Sequence, residues 1–222
     1  MKKTVLAAVL GATLLSGAAV AHEAGSFIGR VGGVFVDANS SSKTANGLNT
    51  KLDVNNNAQL GLTLTYMVTD NIGVELLGAT PFSHRVNAIL ADSNTNLGEV
   101  AKVKHLPPSL YAQYYFLNKD AGARPYIGAG LNYTRFFSGK LTAVGENAGL
   151  SNLRIKKHSF APVVNAGIDI KLTDKLSFNA ALWYTRIKTT AKFDVASAKL
   201  YDNEVKIKLD PIVYFTGLSY KF

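Results

Sequence analysis

His84, His105 and His158, with Ser83 and Ser109 close by in the chain, are the side chains here whose types suit acid–base or nucleophilic work. A serine nucleophile needs a base within hydrogen-bond reach and an acid that orients the base. The chain has no Gly-x-Ser-x-Gly elbow to expose such a serine. Period-two alternation puts His84 and His158 on one parity and His105 on the other, so the three do not converge as metal ligands. Histidines scattered at the ends of alternating segments serve far more often as ring contacts or loop donors. There are no cysteines, which removes disulfides and thiolate metal sites. The reading is a non-enzyme with no catalytic residues, no metal and no cofactor. The other polar groups of note are Glu75, Asp169 and Lys171, each inside an otherwise apolar alternating run. They are expected to point inward near one end of the fold and to close it by pairing, a structural role.

The elements that must position these groups are strands. Eight segments alternate with period two, near Phe27–Val36, Ala58–Thr69, Ile72–Ser83, Val103–Phe116, Pro125–Phe137, Ser159–Leu172, Leu176–Thr189 and Val205–Phe222. Their connections alternate strictly between short and long. Asp70-Asn71, the 118–123 stretch and Thr173-Asp174-Lys175 are short turns. Segments 37–57, 84–102, 138–158 and 190–204 are long and polar and read as loops. Short periplasmic turns opposite long extracellular loops are the habit of outer-membrane barrels. The fold class is therefore all-β, an eight-stranded antiparallel transmembrane β-barrel with both termini in the periplasm. A soluble sandwich would alternate in the same way. The loop asymmetry, the terminal aromatic Phe222 and an apolar face on nearly every strand favour the barrel.

Parity then assigns faces. Leu60, Leu62, Leu64 and Tyr66 share one face, and Gln59, Gly61, Thr63 and Thr65 the other. The apolar set must face lipid, because a charge there costs about 2–4 kcal/mol at mid-depth. The same rule turns Glu75 and Asp169 inward, and with them Leu77 and Trp183, the one tryptophan of the chain. An outward Trp183 would carry Asn179 into lipid. The last strand departs from the pattern: Val205, Ile207 and Leu209 are odd-numbered, while the apolar set from Ile212 to Phe222 is even. A bulge at Asp210-Pro211, or an upper section standing above the bilayer, reconciles them. The inward glycines Gly61, Gly73, Gly128 and Gly130 either leave a cavity or permit strand curvature.

The start of the chain reads as an export signal. Lys2 and Lys3 precede an Ala- and Leu-rich apolar stretch, and Ala19-Val20-Ala21 is a small-x-small cleavage site. Residues 1–21 are the signal peptide and residues 22–222 the barrel. Removing Lys2 and Lys3 lowers the formal charge from +9 to +7. The cations are scattered between strands without any nucleic-acid-binding motif, so nucleic acid is not a partner. They read as solvated rim charges facing outer-membrane lipid and lipopolysaccharide. Mean hydropathy is near zero, as expected when only alternate residues face lipid.

The run from Gln59 to Phe82, Gln-Leu-Gly-Leu-Thr-Leu-Thr-Tyr-Met-Val-Thr-Asp-Asn-Ile-Gly-Val-Glu-Leu-Leu-Gly-Ala-Thr-Pro-Phe, resembles the signature of the outer membrane protein W family. The likeness continues through His105-Leu-Pro-Pro-Ser-Leu110, Arg124-Pro-Tyr-Ile-Gly-Ala-Gly-Leu-Asn-Tyr-Thr134, Ala148-Gly-Leu-Ser151, Trp183-Tyr184 and Tyr220-Lys-Phe222. It covers the whole chain after residue 21, least strongly in segments 37–57 and 190–204. It implies a narrow apolar lumen, passive passage of small hydrophobic or amphipathic molecules across the outer membrane, and sideways release through the wall. It also carries an apolar lumen gate to Leu77 and Trp183. Tyr220 and Phe222 resemble the terminal signal read by the barrel assembly machinery. Pro81, Pro107 and Pro108 lack N–H donors on neighbouring strands and mark a candidate lateral opening. The alternative reading is a non-transporting structural or adhesive barrel, and an eight-stranded interior is narrow enough for side chains to fill.

One outcome follows for the chain's maturation. N-terminal sequencing of the outer-membrane form should begin at His22, and recovery of Met1 would exclude cleavage after Ala21.

Overall fold

A segment whose side chains alternate between two unlike environments is committed to a sheet with two unlike faces. Eight such segments form long antiparallel strands in the computed structural model, and seven of them are broken once. The structure describes residues 22–222 apart from 48, 197 and 198, so the signal-peptide reading lies outside the described residues. β1 (Phe27–Asp37) continues as β2 (Ser40–Asn46), and β3 (Thr50–Val54) as β4 (Asn57–Met67). β5 (Ile72–Ala79) continues as β6 (Phe82–Leu90), and β7 (Thr95–Leu106) as β8 (Ser109–Tyr115). β9 (Ala123–Leu141) runs unbroken into the short helix α1 (Ala143–Asn147). β10 (Leu150–Ile155) continues as β11 (His158–Lys171), β12 (Leu176–Thr185) as β13 (Ile187–Val195), and β14 (Leu200–Leu209) as β15 (Ile212–Lys221).

The lower tier is a closed barrel of eight strands in the order β1-β4-β5-β8-β9-β11-β12-β15. The ring shuts where β15 pairs with β1, with Val31 opposite Leu218, and β9 joins β11 with Ala129 opposite Val164. The tier above it is two curved sheets. One is β3-β6-β7 with the upper part of β9, and the other is β10-β13-β14-β2. The segments expected as long loops are thus mostly strand. They read as loops because their outer residues are polar, yet their inner residues, among them Leu52, Val86, Ala101 and Phe193, pack into a second apolar core.

The two tiers are inside-out relative to each other. In the lower tier Leu60, Leu62 and Leu64 are about half exposed, and Thr63 and Thr65 are buried. In the upper tier Val205, Ile207 and Leu209 are buried, and Lys206 and Lys208 point outward. Odd residues face inward from Val205 through Phe215 to Ser219, so the last strand keeps one parity across Asp210-Pro211. The upper section simply stands beyond the apolar belt, where water takes the outer face. The third strand does change parity. Leu76 faces out, but Phe82 and His84 face in, because the chain gains a residue at the Thr80-Pro81 break. His84 therefore belongs to the lumen and not to the lipid face its number implied.

Two of the inward glycines show what their missing side chains allow. A Cβ at Gly61 would lie 2.2 Å from Val34 Cγ2, and one at Gly130 would lie 2.1 Å from the Leu110 carbonyl oxygen. Neighbouring groups, not void, occupy that space.

The face assignment is testable at Leu62, near the middle of β4. Leu62→Lys should destabilise the barrel in lipid vesicles by about 2–4 kcal/mol, read as a lower urea midpoint from Trp183 fluorescence. An unchanged midpoint would place Leu62 outside the apolar belt.

Candidate functional site

At the end bearing the short turns, the lumen is closed by a buried polar network centred on Arg30 of β1. Its guanidinium donates to the Glu75 carboxylate, to Thr65 Oγ1 at 2.7 Å and to Asp169 Oδ2 at 2.7 Å. Glu75 also accepts from Tyr111 OH at 2.5 Å. Asp169 also accepts from Asn179 Nδ2 at 2.8 Å and Ser219 Oγ at 3.1 Å, and contacts His22 Nε2 at 2.8 Å. The residues Arg30, Glu75 and Asp169 are all at most 3 % exposed. A buried charge is tolerable only when paired and fully hydrogen-bonded, and these carboxylates meet both terms. Arg124 completes the floor by donating to the carbonyls of Asp70 at 2.9 Å and Leu117 at 3.1 Å. At the adjoining turn the Ala24 N–H, with help from Lys119, holds the Asp70 carboxyl below its usual range.

Glu75 and Asp169 are inward as parity required, but their partner is Arg30, which alternation also exposes. Phe27, Val31 and Phe35 face out, and Arg30 has the opposite parity. Lys171 does not join them. It lies past the floor, about a third exposed, and pairs with Asp174 in the following turn at 2.9 Å. Tyr111 and Gln113 of β8 were equally legible as inward and complete the network.

Trp183 stands on this floor. It is 3 % exposed, its Nε1 donates to Tyr111 OH at 2.8 Å, and its ring meets Phe215 edge-on at 5.7 Å. The polar floor thereby fixes the orientation of an apolar surface above it. Leu77 packs against the same cluster, and Leu77 and Trp183 line a cavity of about 50 Å³. An aromatic stack borders its outer side. The rings of His84 and His105 lie 4.9 Å apart and nearly parallel, with Phe82 and Phe136 at 5.5 and 5.4 Å from His105. Above the stack a second cavity, of about 130 Å³, is lined almost wholly by aliphatic side chains such as Leu52, Val100, Leu141 and Leu153.

The histidines thus divide differently from the sequence expectation. His84 and His105 meet in the lumen, and His84 Nδ1 contacts the Asn55 carbonyl at 2.7 Å. His158 stays outside against Tyr133, 2.7 Å from its hydroxyl. Ser109 Oγ accepts from Asn132 at 2.9 Å. Among the described residues no three metal-ligating side chains cluster.

The prolines face one interruption of the wall. Between the third and fourth strands the ladder stops at Leu77 opposite Ser109 and resumes at Phe82 opposite His105. Pro81 lies on one side of that gap, and Pro107 and Pro108 on the other. The Pro108 carbonyl turns away to accept from Tyr133 N–H at 2.9 Å. Pro107 and Ala79 both border the 50 Å³ cavity. At the other end of the chain, Phe222 N–H donates to the Phe27 carbonyl at 2.9 Å, and Tyr220 and Phe222 meet edge-on at 5.2 Å. The last residue thus helps fasten the ring closure.

The OmpW family profile matches residues 23–222. The chain is 42 % identical over 222 residues to outer membrane protein W of Escherichia coli (strain K12), covering all of both chains. It is 42 % identical over 223 residues to outer membrane protein W of Vibrio cholerae, again covering all of both. Among solved structures, the crystal structure of OprG from Pseudomonas aeruginosa superposes with a TM-score of 0.81 at 38 % identity, over 91 % of this chain and 98 % of that one.

The floor makes a prediction about stability. Arg30→Met leaves two carboxylates buried without their cation and should cost about 3–5 kcal/mol in denaturant unfolding. Adding Glu75→Gln and Asp169→Asn should recover much of that loss. A single variant as stable as the parent would mean that the network contributes nothing to closing the barrel.

Proposed function

This chain belongs to the OmpW family, and on that footing we propose that it is an outer-membrane channel for passive passage of small hydrophobic or amphipathic molecules, released sideways through the barrel wall. The observation that carries the reading is the aliphatic cavity of about 130 Å³ in the outer half of the lumen. Apolar surface facing an internal void, and not packed against side chains, gives an apolar solute a place to leave water. A wide aqueous pore is excluded by size, because eight strands enclose little more than their own side chains.

The route inward from that cavity passes the aromatic stack and reaches the smaller cavity at Leu77 and Trp183. A straight path on to the periplasm would require an apolar molecule to break the Arg30 network, whose guanidinium and two carboxylates are already hydrogen-bonded. The cheaper exit is the wall. At Pro81, Pro107 and Pro108 there are no N–H donors to displace, and the cavity already borders Pro107. In this reading Leu77 and Trp183 are the gate and the three prolines the lateral opening. Tyr220 and Phe222 are the signal presented to the barrel assembly machinery, supported by their place at the closing strand.

The test is uptake of chemically varied small solutes by liposomes carrying the purified barrel. Octanol-sized apolar solutes should enter faster than into empty liposomes, and sugars of the same size should not. Trp183→Ala and Leu77→Ala should speed passage, and Pro81→Ala or Pro107→Ala should slow it with the fold retained. Equal rates with and without the barrel would reject the channel. Unchanged rates in both proline variants would reject the lateral exit alone. Deleting Phe222 should lower the amount of folded barrel in cells without changing the rate per folded molecule.

A further inference from the structure

On the outer face of β13, β14 and β2, four lysines stand in register. Lys188 is directly opposite Lys208, and Lys206 is directly opposite Lys43. All four are exposed, and among the described residues none pairs with a carboxylate. Like charges directly opposite in a sheet repel each other. The same ladder does better farther up: Lys192 is opposite Glu204, and their head groups close to 3.1 Å. Complementary pairing is thus available to these strands and is absent at the two lysine pairs. The carboxylate just below, Asp210, lies close to Arg186, which also donates to Tyr184 OH at 3.0 Å. Those two charges offset each other and leave the four lysines unbalanced.

Their height matters. Tyr184 and Tyr214 sit at the top of the lipid-facing surface, where aromatic side chains belong. Lys188 follows Tyr184 by four residues, about 13 Å along a strand, and a lysine stem can reach several ångströms back toward the bilayer. Lys188 and Lys208 thus stand at the height of the polar layer above the apolar belt, and Lys206 and Lys43 follow two residues, about 7 Å, farther out.

We propose that Lys188, Lys208, Lys206 and Lys43 form a binding site for the phosphate groups of an anionic lipid headgroup, one phosphate to each facing lysine pair. The anion turns the two repulsive pairs into charge-assisted hydrogen bonds. It anchors the wall at the level where the barrel gives way to the two separate sheets. The site is independent of solute passage, so a failed uptake experiment leaves it standing.

The purified mature barrel in neutral micelles is offered diphosphoryl lipid A, monophosphoryl lipid A, phosphatidylethanolamine or inorganic phosphate. Bound lipid is counted by native mass spectrometry, and unfolding is followed by temperature. Diphosphoryl lipid A should bind most tightly and raise the unfolding temperature. The double variant Lys188→Gln/Lys208→Gln should weaken its binding roughly tenfold, and Lys192→Gln, altering the compensated pair, should not. Without lipid, the double variant should be at least as heat-stable as the parent, because a repulsion has been removed. Unchanged binding in the double variant overturns the site, as does an equal loss in Lys192→Gln, which would mean a diffuse basic collar. An equal thermal shift from inorganic phosphate overturns the lipid assignment. A double variant that melts earlier in the absence of lipid shows the lysines to be structural and overturns it too.

Discussion

Lipid offers no hydrogen bonds, and the backbone of a membrane-spanning sheet must find every one of them within the protein. That constraint closes the ring here. β15 pairs with β1 along ten residues, from Asp37 opposite Ile212 to Ile28 opposite Lys221. The side-chain pattern follows from the same closure. With one face in lipid and the other sealed away from it, charge has nowhere to go but the lumen, and Arg30, Glu75 and Asp169 converge there. Pro81, Pro107 and Pro108 sit where the ladder stops, and the Pro108 carbonyl finds its donor on the neighbouring β9 strand.

Above the apolar belt the constraint lapses, and the architecture changes with it. Water can satisfy a free sheet edge, so the upper tier need not be a closed ring. It is two sheets with seams between β2 and β3 and between β9 and β10. At the β2–β3 seam side chains substitute for a ladder: Ser42 Oγ accepts from Leu52 N–H at 2.6 Å, and Ser40 Oγ accepts from Val54 N–H at 2.9 Å. The chain keeps its strands and inverts their polarity, so that an apolar core of ordinary globular kind lies directly over a polar floor. The void between the packed walls is the aliphatic cavity.

The lumen is therefore graded from apolar to charged along one axis, and the two ends are mechanically joined. Trp183 is held by Tyr111, Tyr111 by Glu75, and Glu75 by Arg30. This chain of bonds runs from the floor to the indole of Trp183. Each link is a hydrogen bond between buried groups, where a low local dielectric strengthens it.

Alternation with period two is a local property, and it made most of the barrel legible from residues alone. The eight strands, the outward leucines of β4, and the inward turn of Glu75, Asp169, Leu77 and Trp183 needed only each strand's own numbering. The polar outer face of the upper tier hid its strands, because exposed hairpins and loops share a composition. Other features depended on distance in space. Arg30 meets Glu75 across 45 residues of chain and Asp169 across 139, and alternation says which side a residue faces but not whom it meets. His84 changed sides through one extra residue at Pro81, and a one-residue slip inverts every side chain beyond it. The stacking of His84 on His105 and the facing of Lys188 and Lys208 are likewise matters of register between strands. Register is set by how strands pair in the closed sheet, and no single strand carries that information.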